Sequence, residues 1–153
     1  MDADHAVNRI TRRSRSGFIV FTNMAPVYWM SKKQTGAETS TFGSDFLAMK
    51  LACDYLRGLR YKIRMMGIPL EHCCYVYGDN KSVLYNTTLP ESTIKKKANS
   101  IAYHYVREGC ARDEWRTAYI KSSDNCADIC TKSVPDDQDR KRKVRVCYTI
   151  YIH

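Results

Sequence analysis

At 153 residues, with 44% hydrophobic and 27% charged side chains, the chain has the size and make-up of one globular domain, large enough to bury a core without staples. Its 25 Lys and Arg against 16 Asp and Glu give a formal charge of +9, which favours a polyanionic partner without naming it. No signal-peptide pattern and no apolar run of about 18 residues occurs, so neither export nor a membrane span is implied.

The seven cysteines form no framework of paired spacings: Cys73 and Cys74 are adjacent, Cys126 and Cys130 are four apart, and Cys53, Cys110 and Cys147 stand alone. This argues against an oxidised scaffold and for free thiols in a reducing compartment. A zinc site on Cys126 and Cys130 lacks a second spaced pair.

In chain order, "DADHA" is short and ambiguous, and "NRITRRSR" is a polar basic loop. Phe18 to Phe21 and Val27 to Trp29 are β-rich runs parted by Asn23, Ala25 and Pro26, a hairpin signal. After the small, polar "TGAETSTFGS", apolar residues fall at Ala48, Leu51, Ala52, Tyr55 and Leu59. That is helical spacing, and it predicts one long helix from about Ser44 to Met66, stopped by Gly67 and Pro69. "HCCYVYG" reads as a strand, Asp79 as a residue able to cap the next helix, and Pro90 as the end of that helix. "STIKKKANSIAYHYVREGCARD" reads as a further helix closed near Gly109 and Asp113. "EWRTAYI" is the last strand, followed by a loop into a short helix that Pro135 breaks.

Strands alternating with helices imply an α/β domain: a mostly parallel sheet with helices on its faces and an antiparallel hairpin at one edge. In such sheets sites form beyond the carboxyl ends of the strands. Asp79 stands there, and Asp124 and Asp128 follow the next strand. Each acid alone has a structural reading as a cap, a turn residue or a first-turn acid near a helix dipole. Several together need a cation, because like charges raise each other's pKa.

"SRSGFIVF", "PVYWMSKKQ", "YGDNKSVL", "SIAYHYVRE" and "ADICTK", in this order and spacing, resemble the ribonuclease H domain at the end of Ty1/copia-type retrotransposon Pol polyproteins, over roughly residues 2–135. The resemblance implies a ribonuclease H-like fold: a mixed five-stranded sheet flanked by helices, over residues 1–135, with a basic tail at 136–153. It also implies Mg²⁺- or Mn²⁺-dependent cleavage of the RNA strand of an RNA/DNA hybrid, during reverse transcription, beside a reverse transcriptase in one polyprotein. Such a protein would work inside the cell, in a cytoplasmic particle or the nucleus, and not in a membrane. Carried over residue by residue, the metal-binding acids are Asp2 (with Asp4, on the same strand face, as the fallback), Asp45, Asp79 and Asp128. They would hold two divalent ions roughly 3.5–4 Å apart. Asn80, Ser82, Lys95, Lys96, Lys97 and Arg107 are candidates for contacts to phosphate or sugar, since such enzymes read backbone shape and 2′-hydroxyls. The tail "DRKRKVRVCYTIYIH" can be a nucleic-acid contact, a nuclear address or a frayed end.

Three features depart from the family's pattern. Asp45 stands where relatives usually have glutamate, which shortens its reach by one C–C bond of about 1.5 Å. No histidine lies between Ile120 and Asp128, and Ser123 is near that place instead. Met1 directly precedes Asp2, so the first strand is expected to be truncated and the sheet to have an open gap or edge. The alternative to an active nuclease is therefore a remnant that keeps the fold and at most binds nucleic acid.

Overall fold

Alternation decides the hairpin. β2 (Arg15–Thr22) buries Phe18 and Val20, and β3 (Ala25–Lys33) turns Tyr28 and Met30 inward while Val27 and Trp29 stay exposed. The two strands pair antiparallel from Arg15↔Lys33 to Thr22↔Ala25, with the register shifting between Val20 and Phe21. The computed structural model describes residues 1–5, 13–23, 25–36, 40–88, 100–132 and 141. β1 (Asp2–Asp4) lies antiparallel along the other edge of β2, with Asp2 opposite Gly17 and Asp4 opposite Arg15.

α1 (Thr41–Met65) covers one face of this sheet. It starts one turn before Ser44 because the Ser40 side chain caps it, accepting from the Gly43 N–H at 3.3 Å. Phe46, Met49, Ala52 and Cys53 form its buried stripe, and the Tyr55 ring stacks on Tyr28 with centroids 4.0 Å apart. The helix ends at Met65, before Gly67 in the left-handed region (φ 77°).

β4 (Cys74–Gly78) and β5 (Trp115–Tyr119) run parallel in register, joined through α2 (Lys81–Thr88) and α3 (Ser100–Ala111). Trp115 is fully buried and donates its indole N–H to the Val106 carbonyl at 3.0 Å. Its ring needs Gly109: a Cβ there would lie 1.9 Å from the ring. After β5 a 3₁₀ turn (Ser122–Asp124) leads to α4 (Asp128–Thr131), which lies on β2 and β1. Gly17 permits that approach, since a Cβ on it would meet Cys130 Cβ at 2.6 Å and Thr131 Cγ2 at 2.7 Å.

Among the described residues five strands form two sheets, β1–β2–β3 and β4–β5, where the sequence suggests one five-stranded sheet. Among the described residues two ladders are antiparallel and one is parallel, so the sheet is also less parallel than the alternation of elements implies. All three residues of β1 pair with β2, and among the described residues the Met1 amine donates to the Tyr77 carbonyl of β4 at 2.7 Å. The mixture of helices and small sheets is compatible with the fold that the resemblance implies. Of the long helix expected over Ser92 to Asp113, residues 92–99 lie outside the described residues.

Candidate metal centre

Three elements each deliver one acid to the rim. Asp2 comes from β1, Asp79 from the residue just past β4, and Asp128 from the first turn of α4. One carboxylate oxygen of each lies within 4.8 Å of the others. Asp2 and Asp128 are buried (3% and 4% exposed), whereas Asp79 is half-buried and reaches solvent.

Local structure explains why Asp79 is available. The cap of α2 is Asn80, not Asp79: its Oδ1 accepts from the N–H groups of Ser82 (3.1 Å) and Val83 (3.4 Å). The capping work expected of Asp79 is thus done by its neighbour, and the Asp79 carboxylate is left for the centre. Asn80 has a second task, donating from Nδ2 to Asp45 Oδ2 at 2.8 Å.

Asp45 stands in the second turn of α1 and lines the same open pocket of about 610 Å³, with Asp2, Asp4, Asp79 and Lys132. It is not part of the close trio. Its oxygens are taken by Asn80 and by the Ala3 N–H at 3.2 Å. Burial pushes the Asp45 carboxyl up to about 6; the Asn80 hydrogen bond opposes that, and the charges of Asp2 and Asp79 add to it. Asp4, the fallback for the first ligand, lines the pocket but is likewise outside the trio.

The strain of gathering acids is visible at Asp2. Burial raises its pKa, with the Thr131 hydroxyl opposing and Asp128 reinforcing the rise. The Thr131 hydroxyl donates to Asp2, and Lys132 Nζ sits 3.0 Å from Asp128 and 3.6 Å from Asp2. Lys132 therefore brings a cation to the acids from outside the trio. Sequence reasoning quoted it only within "ADICTK"; its i,i+4 spacing from Asp128 is the signal that finds it. His5 was also missed. It lines the pocket, and its Nδ1 is 2.8 Å from Ser44 Oγ, in a chain of hydroxyls that continues to Ser14 at 2.9 Å.

The donor set fits a hard divalent cation. It is all carboxylate oxygen, partly buried, with mutual repulsion that such an ion would relieve, and open on the Asp79 side for water or phosphate. The zinc alternative on Cys126 and Cys130 has no support: the metal-competent group among the described residues is the aspartate trio.

The remaining candidates separate. Ser82 and Asn80 line the pocket, and Lys81 beside them holds its Nζ 5.0 Å from the Tyr119 ring centroid. Arg107 does not line it; on α3 it bonds the Tyr103 hydroxyl and lies over that ring at 5.0 Å. Lys95, Lys96 and Lys97, and the 136–153 tail apart from Lys141, lie outside the described residues. Ser123 is exposed and donates to Asp124 at 3.1 Å.

Comparison with known proteins gives transposon Pol polyproteins among the relatives. The chain is 28% identical over 131 residues, 86% of its length, to the retrovirus-related Pol polyprotein from transposon RE2 of Arabidopsis thaliana. It is 27% identical over 131 residues to that from transposon RE1 of the same plant, and 25% identical over 134 residues to that from transposon TNT 1-94 of Nicotiana tabacum. These spans are 9%, 9% and 10% of the respective relatives, so the chain is similar to about a tenth of each Pol polyprotein. No family model and no solved structure matches. No helix among the described residues is long and apolar enough to cross a membrane.

Proposed function

We propose that this chain is the ribonuclease H-type portion of a copia-type retrotransposon Pol polyprotein, a hydrolase that cuts the RNA strand of RNA/DNA hybrids during reverse transcription. The observation that carries the reading is the convergence of Asp2, Asp79 and Asp128 from three separate elements, in a chain whose relatives are transposon Pol polyproteins. Residues 1–135 would form the nuclease domain and 136–153 a basic extension; the protein would act inside the cell next to a reverse transcriptase.

In this reading Asp2, Asp79 and Asp128 hold Mg²⁺ or Mn²⁺, and Asp45 completes the set for a second ion. Bound ions would supply an activated water and stabilise the departing 3′ oxygen. The chain's own groups do the rest. Asn80 and the Ala3 N–H fix the Asp45 carboxylate, Thr131 fixes Asp2, and Lys132 offsets the charge of Asp2 and Asp128. Ser82, Lys81 and Asn80 line the pocket and would meet a sugar or phosphate, and Lys95, Lys96, Lys97 and Arg107 are further candidates for contact with the hybrid.

A second reading is favoured by Asp45. Its oxygens are engaged by Asn80 and Ala3 outside the close trio, so an inactive remnant that binds nucleic acid would look the same. A labelled RNA/DNA hybrid with Mg²⁺ or Mn²⁺ separates the two. Cleavage should occur and fall by at least about a hundredfold in Asp79→Asn. Cutting only by Asp45→Glu would mean a centre one methylene short. No cutting by any folded variant would establish the remnant.

A further inference from the structure

The exposed side of α2 carries a strip that the acid centre does not use. The helix buries Val83, Leu84 and Thr87 and turns Lys81, Ser82 and Tyr85 to solvent. Lys81 and Tyr85 are four residues apart, so they are neighbours on that side. Tyr119, the last residue of β5, joins them from the sheet, with its ring centroid 5.0 Å from Lys81 Nζ. A hydroxyl pair holds the two elements in this register. Thr87 Oγ1, near the far end of α2, is 2.8 Å from Thr117 Oγ1, and Thr117 precedes Tyr119 by two residues on the same side of β5. β5 thus runs along α2 from Thr87 to Lys81, and Tyr119 emerges at the helix end that lines the acid pocket. Single exposed apolar residues are ordinary on a surface. Here two rings, Tyr85 at 59% and Tyr119 at 47% exposed, stand with one ammonium beside that pocket.

This chemistry selects a narrow class of ligand. Each ring offers a π-face to a flat partner, the ammonium suits a phosphate, and the Ser82 hydroxyl suits a phosphate or sugar. Inside a paired hybrid the bases stack on one another and present no free face, so a base that meets these rings is unpaired. Lys81 rests over Tyr119 as a cation over a ring. On moving to a phosphate it would uncover the face on which a base stacks. We infer that Lys81, Tyr119 and Tyr85 form a binding site for single-stranded nucleic acid. It would take the unpaired extension of a strand whose paired part lies at the acid pocket. That last link rests on the nuclease reading; the single-strand site itself does not.

Fluorescence anisotropy of the full chain in chelator, where no strand is cut, tests it. The probes are labelled oligo(dT), oligo(rU), and one RNA/DNA hybrid with blunt ends or with a single-stranded extension. The extended hybrid should bind at least about fivefold more tightly than the blunt one, the worth of one base on one ring. Tyr119→Ala should erase that gain and weaken oligonucleotide binding by a similar factor, whereas Tyr119→Phe should keep both, because stacking needs the ring and not the hydroxyl. Tyr85→Ala, on an exposed helix face, should weaken binding likewise and separates the effect from any loss of folding at Tyr119. Tyr119→Ala should leave the salt slope for a single strand unchanged, and Lys81→Ala should reduce it by about 0.7. Loss with only one oligonucleotide would identify the sugar that the site accepts; loss with both would leave recognition to base and phosphate. No gain from the extension, or unchanged binding by the folded alanine variants, would overturn the inference. So would a Tyr119→Phe as weak as Tyr119→Ala, which would make the tyrosine a hydroxyl contact. If the hybrid is never cut in Mg²⁺ while oligonucleotide binding still depends on Tyr119, the nuclease reading falls and the single-strand site stands.

Discussion

Around Asp45 opposing influences act on one carboxylate: burial and the charges of Asp2 and Asp79 favour the proton, while Asn80 and the Ala3 N–H favour the ion. The outcome, a pKa raised from 3.8 to about 6, fixes the sign of a linkage. Between those values the folded chain binds more protons than the unfolded one. Without metal, the Asp45 contribution to stability is therefore largest at acid pH and is lost as pH rises from about 4 to about 6. The melting temperature in chelator should fall across that window, and saturating Mg²⁺ should flatten the fall by favouring the ionised acids. Asp45→Ala should remove the slope; a slope that survives it would belong to another group. This behaviour has its root in residues that no spacing rule singles out. Asp79 at a strand exit was legible as a candidate ligand, whereas the transfer of the capping role to Asn80 was not, because either residue type caps a helix equally well.

Among the elements, the hairpin and α1 were legible because strict alternation and a 3.6-residue stripe are dictated by one buried face each. The start of α1 was misplaced by one turn because Ser40, not the first apolar residue, sets it. The division of the described strands into two sheets was not legible, because it depends on long-range pairing that no local pattern records. α4 was legible as a short helix, yet what brings Asp128 to Asp2 is Gly17 on a strand more than a hundred residues earlier. Gly17→Ala should cost about 1–3 kcal/mol by overpacking, and by lifting α4 it should also weaken Mn²⁺ binding severalfold. Gly109→Ala is the control, because its Cβ would collide with Trp115 far from the acids. It should lower the melting temperature at least as much while leaving metal affinity of the folded fraction unchanged. Equal loss of metal affinity in both variants would mean that α4 is not positioned through Gly17.

At the scale of the whole molecule, the chain combines a formal charge of +9 with a centre made of acids. In the proposed function the two signs would have different jobs. The basic residues would attract a phosphate backbone at long range and release its counterions, and the acid centre would repel that backbone until divalent cations filled it. Hybrid binding should therefore weaken steeply with salt, linearly in logarithmic terms, and at fixed ionic strength Mg²⁺ should tighten it although it competes for the phosphates. Lys81 is the residue on which to test this, since it lines the acid pocket and is exposed, its ammonium resting over Tyr119. If it meets a phosphate, Lys81→Ala should lower affinity for all hybrid sequences alike and reduce the salt slope by about 1. An unchanged slope would move the backbone track away from α2, leaving the pocket to be approached from the Asp4 and His5 side.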